Sequence, residues 1–142
     1  MVKYSWHFNL VAVVFWVALS FGVTGGVSHE AVAQKAAERW LSLVDRGDYR
    51  GSWDDAAQLF KQAVGAEDWG KAVATVREPL GEVLKRELMS ARYATSLPGA
   101  PDGEYVVIQY KTRFTNKKSA VETITPMKQR DGSWRVSGYY VR

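Results

Sequence analysis

The chain has 142 residues, with 19 Lys and Arg against 15 Asp and Glu, and so carries a formal charge of +4. This length corresponds to about one domain of ~100–200 residues. Cysteine is absent, which excludes a disulfide scaffold, a thiolate metal site and a thiol nucleophile. Hydrophobic residues make up 46% of the chain, a share typical of a folded protein and not of a disordered one.

The N-terminal segment has the pattern of an export signal. An uncharged apolar run of 14 residues spans 10–23, and small residues follow at 31–33 (Ala-Val-Ala). The run fits the ~7–15 residues of a signal-peptide core and is shorter than the ~20 that cross a bilayer as a helix. We therefore predict a signal peptide over residues 1–33, cleaved after Ala33, and a periplasmic or secreted domain over residues 34–142. The alternative is an uncleaved segment that attaches the domain to a membrane.

Three helices are predicted in the first half of this domain. Apolar residues recur every three or four positions in residues 32–44, in residues 49–64 and in residues 67–80. Asp48 is positioned to cap the second helix, and glycine or proline follows the end of each helix. The second segment is thus predicted to be one continuous helix.

Four strands are predicted in the second half. Alternating or β-branched patterns occur over residues 82–97, 104–114, 119–127 and 134–141. Short connections rich in glycine, proline and polar residues separate them, which favours an antiparallel meander. Helices followed by strands indicate an α+β domain with N-terminal helices packed on one face of a four-stranded antiparallel sheet.

An ordered set of short motifs runs through the domain. They are Trp40-Leu41-x-Leu-x-Asp-x-Gly-Asp-Tyr49, Ser52-Trp53, Phe60-Lys61, Trp69, Arg77-x-Pro-Leu-Gly81, Arg86, Asp102-Gly103-x-Tyr105, Glu122-Thr123 and Asp131-Gly132-x-Trp134-Arg-Val-x-Gly-Tyr139-Tyr140. Together they are similar to the uncharacterised bacterial family named domain of unknown function 4019, over Val32 to Arg142. The element order also resembles the nuclear transport factor 2-like (cystatin-like) fold. These resemblances imply an exported bacterial domain with a strongly bent sheet around its helices. They imply no activity and no catalytic residue.

The residue inventory argues against catalysis. Both histidines, His7 and His29, precede the predicted cleavage point, so residues 34–142 contain neither His nor Cys. Imidazole acid–base chemistry, a Ser-His-Asp triad and almost every zinc site are thereby excluded. We predict no enzyme, no metal and no cofactor, and keep a carboxylate- or Tyr-dependent enzyme as the less favoured alternative. Basic residues are scattered rather than clustered, so nucleic-acid binding is not expected.

Two charged residues fall at apolar positions of the predicted strands. Arg86 lies between two leucines on one strand face, and Glu122 lies between Ala and Ile on another. Because an unpaired buried charge costs several kcal/mol, we expect these two side chains to pair, with Arg77 nearby on the helix face of Trp69. In one interpretation the pair fixes the third helix on the sheet. In the other, the pair is the charged floor of a concave ligand site with aromatic walls. The candidate ligand-binding residues are Trp69, Arg77, Arg86, Tyr110, Glu122 and Tyr140.

The functional prediction is a non-enzymatic domain that binds a small anionic or amphipathic ligand, or a partner, in the concave sheet. Tyr139 and Tyr140 are adjacent in a strand and must point to opposite faces, so one of them is expected outside the core. The alternative is therefore a homodimerisation or protein-interaction module that uses the outer sheet face. Trp40 and Trp53 are predicted to lie in the core, and Trp134, which follows a hairpin turn, is predicted to pack across neighbouring strands.

Overall fold

A computed structural model describes residues 26–142, in which helices precede a single sheet. Helix α1 covers His29–Asp45, α2 Tyr49–Asp55, α3 Gln58–Ala63 and α4 Ala66–Arg77, followed by a 3₁₀ turn over Glu78–Leu80. Strand β1 covers Val83–Ala94, β2 Tyr105–Phe114, β3 Lys117–Lys128 and β4 Trp134–Val141. All neighbouring strands are antiparallel and follow the order β1-β2-β3-β4. The predicted α+β meander is confirmed.

Helix α1 begins upstream of its predicted start. It starts at His29, and the Ser28 side chain accepts a main-chain hydrogen bond of 3.2 Å in the first turn. Ala33 is fully buried within this helix, so the folded unit begins before the predicted domain boundary at residue 34. The apolar run over residues 10–23 lies outside the described residues, and cleavage stays a prediction.

The predicted second helix is wrong as one continuous element. The chain is extended at Ala56 and Ala57, which separate α2 from α3. Both alanines are buried, and the Ala57 N–H donates a 2.8 Å hydrogen bond to the Val136 carbonyl of β4. This tertiary bond satisfies a group that a continuous helix would have paired internally, and the apolar periodicity of the sequence does not reveal it.

Strand β1 is shorter and less regular than predicted. It ends at Ala94 rather than at residue 97, and its pairing with β2 is interrupted by two irregularities. Leu84 has no pairing partner at the first, and Leu88 lies at the second; both side chains are about half exposed. The predicted apolar face around Arg86 is therefore not continuous, although Arg86 itself pairs with Thr112, on the side of the sheet that the helices cover.

The core lies between the helices and one face of the sheet. Trp40 of α1 is fully buried at its centre, within 5.2–6.5 Å of the rings of Phe60, Trp69 and Tyr139. Trp134 is also buried, whereas Trp53 is only partly buried at the core margin. No helix of the described part is long and apolar enough to cross a membrane.

Candidate functional site

Five polar side chains meet at one end of the helix–sheet interface. We call this group the charge ring: Asp45, Arg77, Arg86, Glu122 and Tyr139. They come from the ends of α1 and α4 and from strands β1, β3 and β4. Each is joined to the next by hydrogen bonds, so that residues far apart in the chain form one connected network.

Glu122 is the most enclosed member of the ring. Its side chain is completely buried, and its two carboxylate oxygens accept four hydrogen bonds. Arg86 donates two of them, from Nε at 2.7 Å and from Nη2 at 3.2 Å. The hydroxyls of Thr112 and Tyr139 donate the others, at 2.5 and 2.6 Å. A carboxylate offers about four acceptor sites, so the capacity of Glu122 is filled.

Asp45 supplies the second carboxylate, at the last residue of α1. Arg86 donates to both of its oxygens, at 2.8 and 3.0 Å, and Arg77 donates from Nη2 at 2.8 Å. A carboxylate at a helix C-terminus meets the negative end of the helix dipole, and the two guanidiniums offset that repulsion. Burial alone would raise the pKa of Asp45, but hydrogen bonds and charge from Arg86 and Arg77 outweigh burial and lower it.

Arg77 and Tyr139 close the ring. Arg77 is buried, its Nη1 lies 3.4 Å from the Tyr139 hydroxyl, and its guanidinium lies 5.1 Å from the centre of the Phe114 ring. Burial and the neighbouring carboxylate of Glu122 raise the pKa of the Tyr139 hydroxyl well above its usual value. Tyr139 therefore remains a neutral donor at physiological pH.

The arrangement of the ring fits a structural role better than a catalytic one. Two guanidiniums face two carboxylates, so the formal charges balance. The carboxylate oxygens are engaged by charged or hydroxyl donors, which leaves no acceptor poised for a substrate proton. The geometry therefore supports the interpretation in which these ion pairs fix the helices on the sheet.

The structure brings together three of the six candidate ligand-binding residues: Arg77, Arg86 and Glu122. Tyr110 is buried beside them, and its hydroxyl has no partner among the described residues; burial raises its pKa to about 12. Trp69 and Tyr140 are not among the hydrogen-bonded partners of the ion pair; both line an apolar cleft between α4 and β4, which is described below. The Trp69 indole donates to the Ser52 hydroxyl, and Tyr140 is 61% exposed on the far side of the sheet. Of the three expected aromatic walls, Tyr110 thus adjoins the ion pair, whereas Trp69 and Tyr140 line the neighbouring cleft; ligand binding by these residues stays a prediction.

Sequence reasoning missed three participants: Asp45, Thr112 and Tyr139. Thr112 alternates with buried apolar residues of β2, a pattern that placed it on the inner face without indicating a partner. Asp45 carried a usable signal, because an acidic residue at a predicted helix C-terminus needs a nearby cation. Strand alternation places Tyr139 and Tyr140 on opposite faces of the sheet, but it does not indicate which of the two points inward.

An apolar cleft opens between α4 and the last residues of β4. Its volume is about 240 Å³. Trp69, Val73 and Val76 are among the helix residues that line it, opposite Tyr139, Tyr140 and Val141 of the strand. The cleft adjoins the charge ring, because the Tyr139 hydroxyl belongs to that network.

One wall of this cleft is an open strand edge. Val121 and Arg142 exchange both of their main-chain hydrogen bonds, at 2.9 and 3.1 Å. By antiparallel alternation, the N–H and C=O groups of Tyr139 and Val141 point away from β3, and no partner for them occurs among residues 26–142. The cleft thus combines an apolar wall with main-chain donors and acceptors.

Comparison with known proteins identifies the family. Residues 36–139 match the family described as "Protein of unknown function (DUF4019)". The chain belongs to this family. The whole charge ring of this DUF4019 protein lies within the matched residues, and the match ends at the ring residue Tyr139. No curated protein matches the chain.

A solved structure supports the fold of the DUF4019 domain. A 2.5 Å structure from Catenulispora acidiphila is similar with a TM-score of 0.51 and 13% sequence identity. The similarity covers 89% of this chain and 94% of the other. At this level of identity the likeness concerns the α+β architecture alone.

Proposed function

We propose that this DUF4019 domain is a non-catalytic binding module that holds a small amphipathic ligand in the cleft between α4 and β4. The observation that carries the proposal is an apolar cleft with an unpaired strand edge along one side. Apolar walls with a few oriented polar groups are what ligand sites commonly offer. The apolar part of the ligand would contact Trp69 and Val73, and its polar part would reach the main-chain groups of Tyr139 and Val141.

The size of the cleft limits what it can take. Its volume of about 240 Å³ is below the ~300–1,000 Å³ of sites for larger organic ligands. A short acyl chain or a single aromatic ring suits this space better than a cofactor. Of the two ligand types predicted from the sequence, anionic and amphipathic, we retain the amphipathic one, because a ligand with one polar end suits this cleft.

The charge ring supports the cleft without forming its floor. Arg86 is committed to Asp45 and Glu122, so its guanidinium is not offered to a ligand. Tyr139 connects the two regions, with its hydroxyl in the ring and its main chain at the cleft. The ring therefore holds the strand end in place, and a rigid wall reduces the ordering cost of binding.

Nuclear magnetic resonance on the isotope-labelled full chain tests the proposal, with octanoate as the amphipathic probe. We expect shifts of the Trp69 indole N–H and of the Val73 and Val76 methyl groups. Replacing the exposed Ala72 of α4, which lines the cleft, by Phe fills the space. We expect Ala72→Phe to weaken octanoate binding by about tenfold, a loss of ~1.4 kcal/mol.

A matched control makes the same alanine-to-phenylalanine substitution at a position outside the cleft. Ala63 is also an exposed helical alanine, at the end of α3, and does not line the cleft. We expect Ala63→Phe to leave octanoate binding within about twofold. The proposal is wrong if octanoate shifts no cleft resonance, or if both variants lose binding equally.

A second function is kept for the outer sheet face. The exposed Tyr140 ring lies there opposite Thr123, on a face that the helices do not cover. A homodimer through this face would bury that ring. Sedimentation of the full chain tests this alternative, because a monomer that persists at high concentration contradicts it.

A further inference from the structure

A second cluster of charges lies on the outer face of the sheet, on the opposite side of strands β1 and β2 from the charge ring. Five charged residues and Thr112 line a shallow depression of about 150 Å³ there, which we call the basic depression; the charged residues are Lys85, Glu87, Lys111, Arg113 and Lys118. They come from β1, β2 and the start of β3. Four cations thus share the depression with one carboxylate.

The strand register places like charges side by side. Lys85 of β1 is the direct antiparallel partner of Arg113 of β2. Side chains at such positions have Cβ atoms ~4.5–5.5 Å apart, and like charges there destabilise a sheet. The same register places Glu87 opposite Lys111, so this carboxylate offsets part of the repulsion among the four cations. An anion bound between the strands would offset the rest.

The single carboxylate does not neutralise the depression. Glu87 forms a 2.7 Å ion pair with Lys85, its neighbour two residues earlier on the same strand face. Within residues 26–142, Lys111, Arg113 and Lys118 have no carboxylate within ion-pairing distance. The hydrogen bond and the charge of Lys85, together with the charge of Lys111, also lower the pKa of Glu87, as expected in a positive field.

We propose that the basic depression is a binding site for a tetrahedral oxyanion group of the phosphate type. The planar guanidinium of Arg113 can donate two parallel hydrogen bonds to such a group, and Lys111 and Lys118 add point charges on either side. The volume of about 150 Å³ suits one phosphate group rather than a whole organic ligand. The group can belong to a free anion or to the headgroup of an anionic lipid, which offer the same chemistry.

The test uses the full chain, isotope-labelled, with inorganic phosphate as the probe and chloride at equal ionic strength as the reference. Phosphate is expected to shift the main-chain amides of residues 111–113 and 85 more than chloride does. The variant Lys111→Gln/Arg113→Gln/Lys118→Gln is expected to bind phosphate about tenfold more weakly. The single variant Arg113→Lys keeps the charge but loses the planar donor pair. We expect its affinity for phosphate to lie between that of the parent and that of the triple variant.

A matched triple variant controls for net charge. Lys35→Gln/Lys71→Gln/Arg130→Gln removes three exposed cations outside the depression and gives the same total charge. We expect it to keep phosphate binding within about twofold. Equal losses in the two triple variants, or phosphate shifts no larger than those of chloride at constant ionic strength, overturn the proposal.

Vesicles distinguish the two sources of the oxyanion. The two triple variants are compared on vesicles of one part phosphatidylglycerol to three parts phosphatidylcholine, so that any contribution of residues 1–25 is common to both. Weaker binding of the Lys111→Gln/Arg113→Gln/Lys118→Gln variant alone assigns a lipid headgroup. Equal vesicle binding together with localised phosphate shifts assigns a free anion.

Discussion

The substitution Glu122→Gln tests the charge ring most directly, because it keeps the shape of the side chain and removes its charge. In the parent, two guanidiniums face two carboxylates. In the variant, Arg77 and Arg86 face the single carboxylate of Asp45, and one positive charge is left buried without compensation. The side-chain amide would also bring a donor where the Tyr139 hydroxyl or Arg86 already donates.

The expected loss of stability follows from these contacts. Removing one partner of a buried ion pair lowers the free energy of unfolding by ~3–5 kcal/mol. Gln retains one acceptor oxygen for Arg86 or Thr112, so we expect the lower end, about 3 kcal/mol. With a urea dependence of ~1.5 kcal/mol per molar, within the range for small domains, the unfolding midpoint should fall by about 2 M.

Urea unfolding followed by tryptophan fluorescence measures this shift. Glu67→Gln serves as the control, because Glu67 forms an exposed ion pair with Lys71 one helical turn away. We expect the control to leave the midpoint unchanged, since exposed pairs contribute little. If Glu122→Gln moves the midpoint no further than Glu67→Gln does, the charge ring does not stabilise the fold and the reasoning fails.

The remaining predictions concern single groups and their controls. The pKa of Asp45 is lowered on folding, so its ionised form stabilises the fold fully above about pH 4, and this contribution is lost as pH falls through the lowered pKa. Thermal unfolding between pH 2 and 7 should therefore show Asp45→Asn less stable than the parent at pH 7, and the gap should narrow in acid; a constant gap contradicts this. Tyr139→Phe should lower the free energy of unfolding by ~1–2 kcal/mol, because it removes a hydrogen bond to a buried carboxylate. Tyr110→Phe should leave the stability unchanged or raise it, because the Tyr110 hydroxyl has no partner in residues 26–142. Calorimetric unfolding of both variants tests this difference. Gly47→Ala and Gly81→Ala both place alanine at positive φ, which costs ~1–2 kcal/mol, but only at position 81 does the new Cβ meet a neighbouring threonine hydroxyl, so Gly81→Ala should unfold at the lower denaturant concentration.

The overall architecture was predictable because it depends on short-range patterns. Periodicity located the helices and strands, and the short connections gave the meander order. The break between α2 and α3 was not predictable, since it depends on a hydrogen bond from Ala57 to a strand about eighty residues later. The irregularities of β1 were missed for a similar reason, because the register belongs to a pair of strands and one strand's alternation does not determine it.

The candidate site was predictable only in part. Charges at apolar positions correctly indicated that Arg86 and Glu122 would pair. The sequence could not show that Asp45 would also pair with the guanidinium of Arg86, because that contact depends on how α1 crosses the sheet. The cleft was also beyond sequence reasoning, since a space between two elements depends on their separation.

The charge ring joins the first described helix to the last strand, which has a consequence for synthesis. Asp45 leaves the ribosome almost a hundred residues before Tyr139. A nascent chain that ends before β3 therefore contains Arg77 and Arg86 without Glu122. Burying both guanidiniums at that stage would carry a large desolvation free energy, because one of them would lack a carboxylate partner. Complete assembly of this protein has to wait for its final strand, so truncated products should remain open and accessible to proteases.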